Sequence, residues 1–226
     1  MIINSQGFGH FMDGLNNQDF GIESSRMLLI LDGCSGAKYS EIGTRLFTQL
    51  FLRKEEYDNL DKFEENVKSV FETIIKMAKP SYPNEKELQE EFIMENLLFT
   101  IIACFELEDK FVVKMFGDGY ILTINNQNCL SYCAYKYGKY PPYYAYKYCD
   151  FIELEYFDNF KTFEFSKKDF KNIGIASDGI VPIVKGEVEI ADTAIINNNQ
   201  QLLDFTIKKQ RQIFYDDITI AIFGGD

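Results

Sequence analysis

Residues 28–47 read LLILDGCSGAKYSEIGTRLF, and the two halves of this stretch follow different rules. From Tyr39 to Phe51 the apolar residues Tyr39, Ile42, Leu46, Phe47, Leu50 and Phe51 recur three and four apart, which gives a helix one buried face. Ahead of it, Met27 to Leu31 is an unbroken apolar run of strand length that stops on Asp32, followed at once by Gly33. A carboxylate at the end of a buried strand is costly unless something is bound to it. The stretch therefore predicts a strand, a charged turn and a helix, and asks what Asp32 holds.

Outward from this point, Leu60, Phe63, Val67, Val70, Phe71, Ile74 and Ile75 predict a second amphipathic helix that stops before Pro80, with Pro80 to Glu87 as a surface link. Leu97–Leu107, Phe111–Phe116 and Tyr120–Ile124 read as successive strands of an antiparallel meander, broken by ELEDK and GDG. Further strands are expected at Phe151–Phe157, Lys161–Phe165, Ile173–Ser177 and Ile218–Phe223. Helices are expected at Gly186–Ile196 and Gln200–Arg211, separated by Asn197-Asn198-Asn199. The expected class is α+β, with helices grouped around largely antiparallel sheet.

Composition limits the function. A chain of 226 residues, 46% hydrophobic, is long enough for one substantial core, and a single domain over residues 1–226 is expected. With 35 acidic and 23 basic residues the formal charge is −12, which disfavours nucleic acid and anionic membrane as partners. Cys34, Cys104, Cys129, Cys133 and Cys149 lack the paired clusters of a zinc site and are expected to be reduced. No apolar run reaches the roughly 20 residues that span a bilayer, so a soluble, cytoplasmic protein is expected.

The acidic residues form a pattern. Asp32 follows the strand MLLIL, Asp118 follows FVVKMF, Asp178 follows IGIAS, and Asp216 and Asp217 precede ITIAIF. Glycine comes directly after Asp32, Asp118 and Asp178, allowing a tight turn and bringing backbone carbonyls close. One Asp-Gly after a strand is an ordinary turn. Repeated at several strand ends, it puts carboxylates into one small volume, where they repel unless divalent cations neutralise them. Oxygen donors without a Cys or His cluster suit Mg2+ or Mn2+.

In order, the chain carries Gly-x-x-His at residues 7–10, NNQDFG at 16–21, LDGCSGAKYSEIGTRLF at 31–47, then GDGYIL, ASDGI and DDITIAIF. This order resembles the metal-dependent type 2C serine/threonine protein phosphatases, especially their smaller bacterial branch, from about Gly7 to Phe223. The resemblance implies a four-layer αββα fold: a central sandwich of two antiparallel sheets flanked by helices. It implies two metal ions and a weaker third. Asp32 would bridge the two, with the Gly33 carbonyl on one; Asp178 and Asp216 would hold the other. Asp19 would act nearby or through water, Asp118 would help hold the third ion, and Asp217 would support Asp216. The implied reaction is hydrolysis of phosphoserine or phosphothreonine in a phosphorylated protein or peptide, through a metal-bridging hydroxide. No Ser-His-Asp or Cys-His arrangement is recognisable, and no protein nucleophile is required.

Three points stay open in the sequence. His10 is a general acid, a phosphate contact or a packing residue. Many relatives place a phosphate-clamping arginine before the first acidic motif, whereas Phe11 to Gln18 contains no basic residue. Lys38, Arg45, Arg26 and His10 are the substitutes within reach of the motif, and the missing arginine keeps a catalytically weak regulatory or binding module as the alternative function. Finally, YCAYKYGKYPPYYAYKYCDF, residues 132–151, keeps neither helical nor strand period. It is either a substrate-facing flap, with Tyr140, Tyr143 and Tyr144 as contacts, or a core-covering hairpin.

Overall fold

The computed structural model describes residues 1–78, 86–136, 141–150 and 159–224. In chain order the first elements are β1 (Ile2–Ser5), α1 (Phe8–Met12), β2 (Phe20–Glu23), β3 (Met27–Gly33), α2 (Ser40–Phe51), α3 (Phe63–Ala78) and α4 (Lys86–Asn96). Next come β4 (Phe99–Glu106), β5 (Lys110–Phe116), β6 (Gly119–Asn125), β7 (Leu130–Tyr135), β8 (Lys161–Ser166) and β9 (Phe170–Ala176). The chain closes with α5 (Val181–Val184), α6 (Ala191–Ile196), α7 (Gln200–Lys209) and β10 (Ile218–Ile222).

The strands form two five-stranded sheets, ordered β1-β10-β9-β6-β7 and β2-β3-β4-β5-β8, and every pairing is antiparallel. The β3 run explains the layering. Met27, Leu29 and Leu31 join the core shared with α2 and α3, while Leu28 and Ile30 join the core between the sheets. Both faces are covered, so the strand reads as continuous apolar sequence. Strand alternation puts Asp32 in phase with Leu28 and Ile30, at the mouth of the sandwich. On the other side, β6, β9 and β10 share a third core with α5, α6 and α7. The expected α+β sandwich with four layers is the observed architecture.

The helix-side core is aromatic. Phe47 stacks on Phe51 and meets Phe71 and Phe99 with ring centroids 5.4–5.6 Å apart. All four side chains are fully buried, and each such burial stabilises the fold by roughly 1.5–3 kcal/mol. Gly43 of α2 is required by closeness, because a Cβ there would lie 1.9 Å from the Asn96 carbonyl oxygen.

Some expectations need correction. Residues 97–124 do not form one meander: β4 and β5 pair, but β6 belongs to the other sheet, between β7 and β9. The chain crosses between sheets at Gly117-Asp118-Gly119, where the two glycines take φ of +111° and +146°. GDG thus reads as a hairpin turn in sequence and acts as a corner between layers. The helix expected over Gly186–Ile196 is confined to α6, and Gly186 turns the chain with φ +73°. Six elements, the four-residue α5 among them, carried too little periodicity to be anticipated. The strands β1 and β2 have four residues each, α1 has five, β7 is a largely exposed edge, and α4 has Ile93 as its buried residue. The strand expected at Phe151–Phe157 lies outside the described residues, as do Tyr140 and most of the Pro80–Glu87 link.

Candidate active site

The acidic residues arrive from both sheets. Asp32 ends β3 opposite Thr100 on β4, Asp118 sits at the inter-sheet corner, Asp178 follows β9, and Asp216 precedes β10. A cleft of ≈ 220 Å³ is lined by Asp32, Gly33, Thr100, Asp118, Asp178 and Asp216, with Tyr143 on its rim. A larger groove of ≈ 790 Å³ lies beside β1, but amides of Asn197, Asn198, Asn199 and Gln200 dominate it and Asp204 is its one carboxylate. The smaller cleft holds the convergent chemistry.

Glycines permit this convergence. A Cβ at Gly33 would stand 2.7 Å from the Gln18 carbonyl oxygen, and one at Gly179 would stand 1.9 Å from the Asp217 carbonyl oxygen. The motif glycines after Asp32 and Asp178 therefore allow backbone segments carrying acidic residues to touch.

Mutual repulsion and burial shape the electrostatics. Asp32 opens on the cleft yet is tightly surrounded by protein. Burial, then the charges of Asp19, Asp178, Asp216 and Asp118, hold its carboxyl well above the usual range. Asp19 is 2% exposed, and burial with the neighbouring Asp217 charge raises it to about 8. Burial and Asp216 raise Asp178 to about 6. Asp118 and Asp216 are also raised, chiefly by burial.

Asp217 behaves differently from Asp216. Its Oδ1 accepts the Gly7 N–H at 2.7 Å, its Oδ2 accepts the Gln18 N–H at 2.6 Å, and the same Oδ2 lies 2.8 Å from His10 Nδ1. These contacts consume its acceptor capacity inside the protein. The side chain of Asp216 is 46% exposed and lines the cleft. His10 is 7% exposed, places Nε2 3.9 Å from Asp216 Oδ1, and is absent from the cleft lining. The Asp217 carboxylate raises the His10 pKa, against burial, which lowers it.

Other candidates separate. Tyr143 and Tyr144 are equally buried in the helix-side core, but Tyr143 also lines the cleft, whereas Tyr144 packs with its ring centroid 4.9 Å from Phe71 and 5.2 Å from Phe116. Lys38 pairs with Glu95 at 3.7 Å and does not line the cleft. Arg45 donates to the Asn17 carbonyl at 3.4 Å, and Arg26 borders a separate hollow. Sequence reading missed Thr100 and Lys136. Thr100 lines the cleft from the middle of an apolar run, where a threonine reads as an ordinary strand residue. Lys136 follows β7 and favours the charged forms of Asp118 and Asp178.

The donor set fits Mg2+ or Mn2+ in kind: hard oxygens, several ionisable, at the end of a sandwich. Asp19 Oδ2 and Thr100 Oγ1 are buried without hydrogen-bond partners, the condition that a bound ion or its water relieves. Among the described residues, no three His, Cys, Asp or Glu side chains stand as a closed set around one point. Carboxylates repel at short range until a cation neutralises them.

Comparison with known proteins agrees with this architecture. The sequence profile described as protein phosphatase 2C matches residues 6–207. A search of curated proteins finds no match. Among solved structures, a bacterial serine phosphatase superposes with a TM-score of 0.67 at 14% identity, covering 100% of this chain and 98% of that one. Stp1, a serine/threonine phosphatase from Staphylococcus aureus, gives 0.63 at 13% identity, covering 100% and 94%. The catalytic domain of the serine/threonine protein phosphatase PstP, in complex with two manganese ions, gives 0.60 at 14% identity, covering 98% and 95%. These likenesses establish the fold, and the profile match over most of the chain establishes the lineage: the chain belongs to the protein phosphatase 2C family.

Proposed function

We propose that this chain is a divalent-metal-dependent protein phosphatase, one catalytic domain over residues 1–226, that hydrolyses phosphoserine or phosphothreonine in a protein substrate. The observation that carries the reading is the gathering of Asp32, Asp118, Asp178 and Asp216 around one cleft from the ends of two sheets. Asp32 and the Gly33 carbonyl would hold two ions, Asp178 and Asp216 would complete one of them, Asp19 would act through water, and Asp118 would take a weaker third. Mg2+ or Mn2+, when bound, supplies Lewis-acid charge and an activated water at neutral pH.

The chain's own residues orient and bind. Asp217 ties Gly7 and Gln18 to the start of β10 and so fixes Asp19 relative to Asp216. His10 stands 2.8 Å from Asp217 Oδ2 and 3.9 Å from Asp216 Oδ1 and would position the two carboxylates by its charge when protonated. Its burial and its absence from the cleft favour this positioning role over direct contact with the phosphate. Tyr143, buried but lining the cleft, would give the phosphorylated residue an aromatic wall.

The deciding experiment measures phosphate release from a phosphothreonine peptide. Release on adding Mn2+ or Mg2+, lost on chelation, is expected. Release unchanged in excess chelator overturns the mechanism. Metal binding without release from any peptide makes the chain a phosphatase-like regulatory module instead. Among the described residues no helix is long and apolar enough to cross a membrane, and the charge of −12 disfavours nucleic acid and anionic lipid as partners.

A further inference from the structure

A phosphorylated side chain entering this cleft meets Asp32, Asp118, Asp178 and Asp216, while among the described residues no lysine, arginine or histidine lines it. The cations that sequence offers are engaged elsewhere. Lys38 pairs with Glu95, Arg45 reaches the Asn17 carbonyl, and Arg211 donates to Gln6 while lying 4.2 Å from the Phe11 ring centroid.

Strand register singles out another residue. β6 pairs with β7 through Gly119 and Tyr135, and with β9 through Tyr120 and Ala176. Lys136 follows Tyr135 directly and Asp118 directly precedes Gly119, so the two residues flank the last pair of the β6–β7 ladder, while Asp178 comes two residues after Ala176. Lys136 is exposed and forms no ion pair among the described residues.

We propose that Lys136 is the phosphate-binding cation of this site, contacting the phosphoryl oxygens of the substrate from the Asp118 side of the cleft. A lysine suits the position, because its ammonium is a compact point charge on a flexible stem and reaches a phosphate without fixed geometry. Standing beside Asp118, it also opposes binding of a further cation there. Substrate phosphate and a third ion would therefore compete for one edge of the cleft.

This inference rests on the phosphatase reading, and its test separates the two. In the presence of Mn2+, Lys136→Ala, Lys136→Arg and the remote control Lys171→Ala are compared with the unaltered protein. Lys136→Ala should raise both the KM for a phosphothreonine peptide and the inhibition constant of inorganic phosphate about tenfold, with kcat changing less than about threefold. Lys136→Arg should recover most of that loss, and Lys171→Ala should change neither constant. Calorimetric titration with inorganic phosphate gives the same comparison without turnover. An unaltered protein that releases no phosphate refutes the phosphatase reading, while the titration still judges Lys136. Equal phosphate affinity in the unaltered protein and Lys136→Ala overturns the proposal. So does a loss in kcat that tracks a lowered Tm, which would make the residue structural.

Discussion

Asp217 Oδ2 accepts the main-chain N–H of Gln18 at 2.6 Å across 199 residues of chain. Its other oxygen accepts Gly7 N–H at 2.7 Å, so one buried side chain fixes both ends of the segment that carries His10 and leads to Asp19. Position in sequence makes Asp216 and Asp217 neighbours, but their surroundings give them separate tasks. One faces the cleft, and the other holds the protein together beneath it.

Removing each should therefore have opposite consequences. Asp217→Ala leaves the buried Gly7 and Gln18 N–H groups without their acceptor and removes the charge beside His10, and breaking such a buried charged network costs about 3–5 kcal/mol. Asp216→Ala removes one of several mutually repelling carboxylates, so metal-free stability should hold or rise while the response to Mn2+ falls. Denaturant unfolding of both variants, with and without Mn2+, checks this. Equal destabilisation by both would refute the division of roles.

The pH dependence of the metal-free protein has a definite sign. Asp19 is raised to about 8 and Asp178 to about 6, against 3.8 for an ordinary aspartate, and Asp32 is raised as well. The folded state then holds more protons than the unfolded state between pH 3.8 and about 8. Stability should fall as pH rises through that window. His10, also raised, adds stability that is present below 6.5 and lost as pH passes its folded value, in the same direction. Saturating Mn2+ should flatten the slope by replacing protons on the carboxylates. Thermal unfolding across pH, with chelator and with metal, measures it; a metal-free profile that rises with pH contradicts the assignment.

Metal stabilisation should depend on Asp32 in particular. Ions that bind only the folded chain raise its stability by linkage, by roughly 2.7 kcal/mol at a hundredfold excess over Kd, and Tm rises with it. Asp32→Ala should abolish most of that increment, whereas Asp13→Ala, on the exposed segment after α1, should retain it. Comparable increments in the two variants would count against Asp32 as the bridge.

The tyrosines offer a contrast between packing and recognition. Tyr144→Ser removes a ring packed against Phe71, Phe116 and Phe160, a truncation in the class that costs about 3–5 kcal/mol. Tyr143→Phe keeps the packing at the cleft rim and should hold stability. Its effect should appear as slower hydrolysis of a phosphopeptide relative to a small aryl phosphate. Unfolding curves and the two substrates together decide; a stable Tyr144→Ser protein would move that residue out of the core.

Sequence by itself determined the elements whose faces are buried in a regular period. The α3 stripe from Phe63 and the doubly covered run at Met27–Leu31 were legible because burial writes itself into spacing, whereas of the stripe expected in α2 only Phe47 and Phe51 are fully buried and Tyr39 and Ile42 are exposed, small residues such as Gly43 and Thr44 facing the core in their place. The strand-then-Asp-Gly pattern similarly exposed Asp32, Asp118 and Asp178 as candidates. Tertiary structure decided what local period cannot encode. It set the crossing of the chain at Gly117–Gly119, the burial of Asp217 beneath exposed Asp216, and the split between Tyr143 and Tyr144. It also brought Lys136 beside Asp118, through a register between strands that share no local signal. The physical reason is common to all four. A residue's own neighbours in sequence fix its backbone preference and its face. Its charge state and partners depend on residues brought from elsewhere in the chain, as Gln18 and Asp217 are across 199 positions.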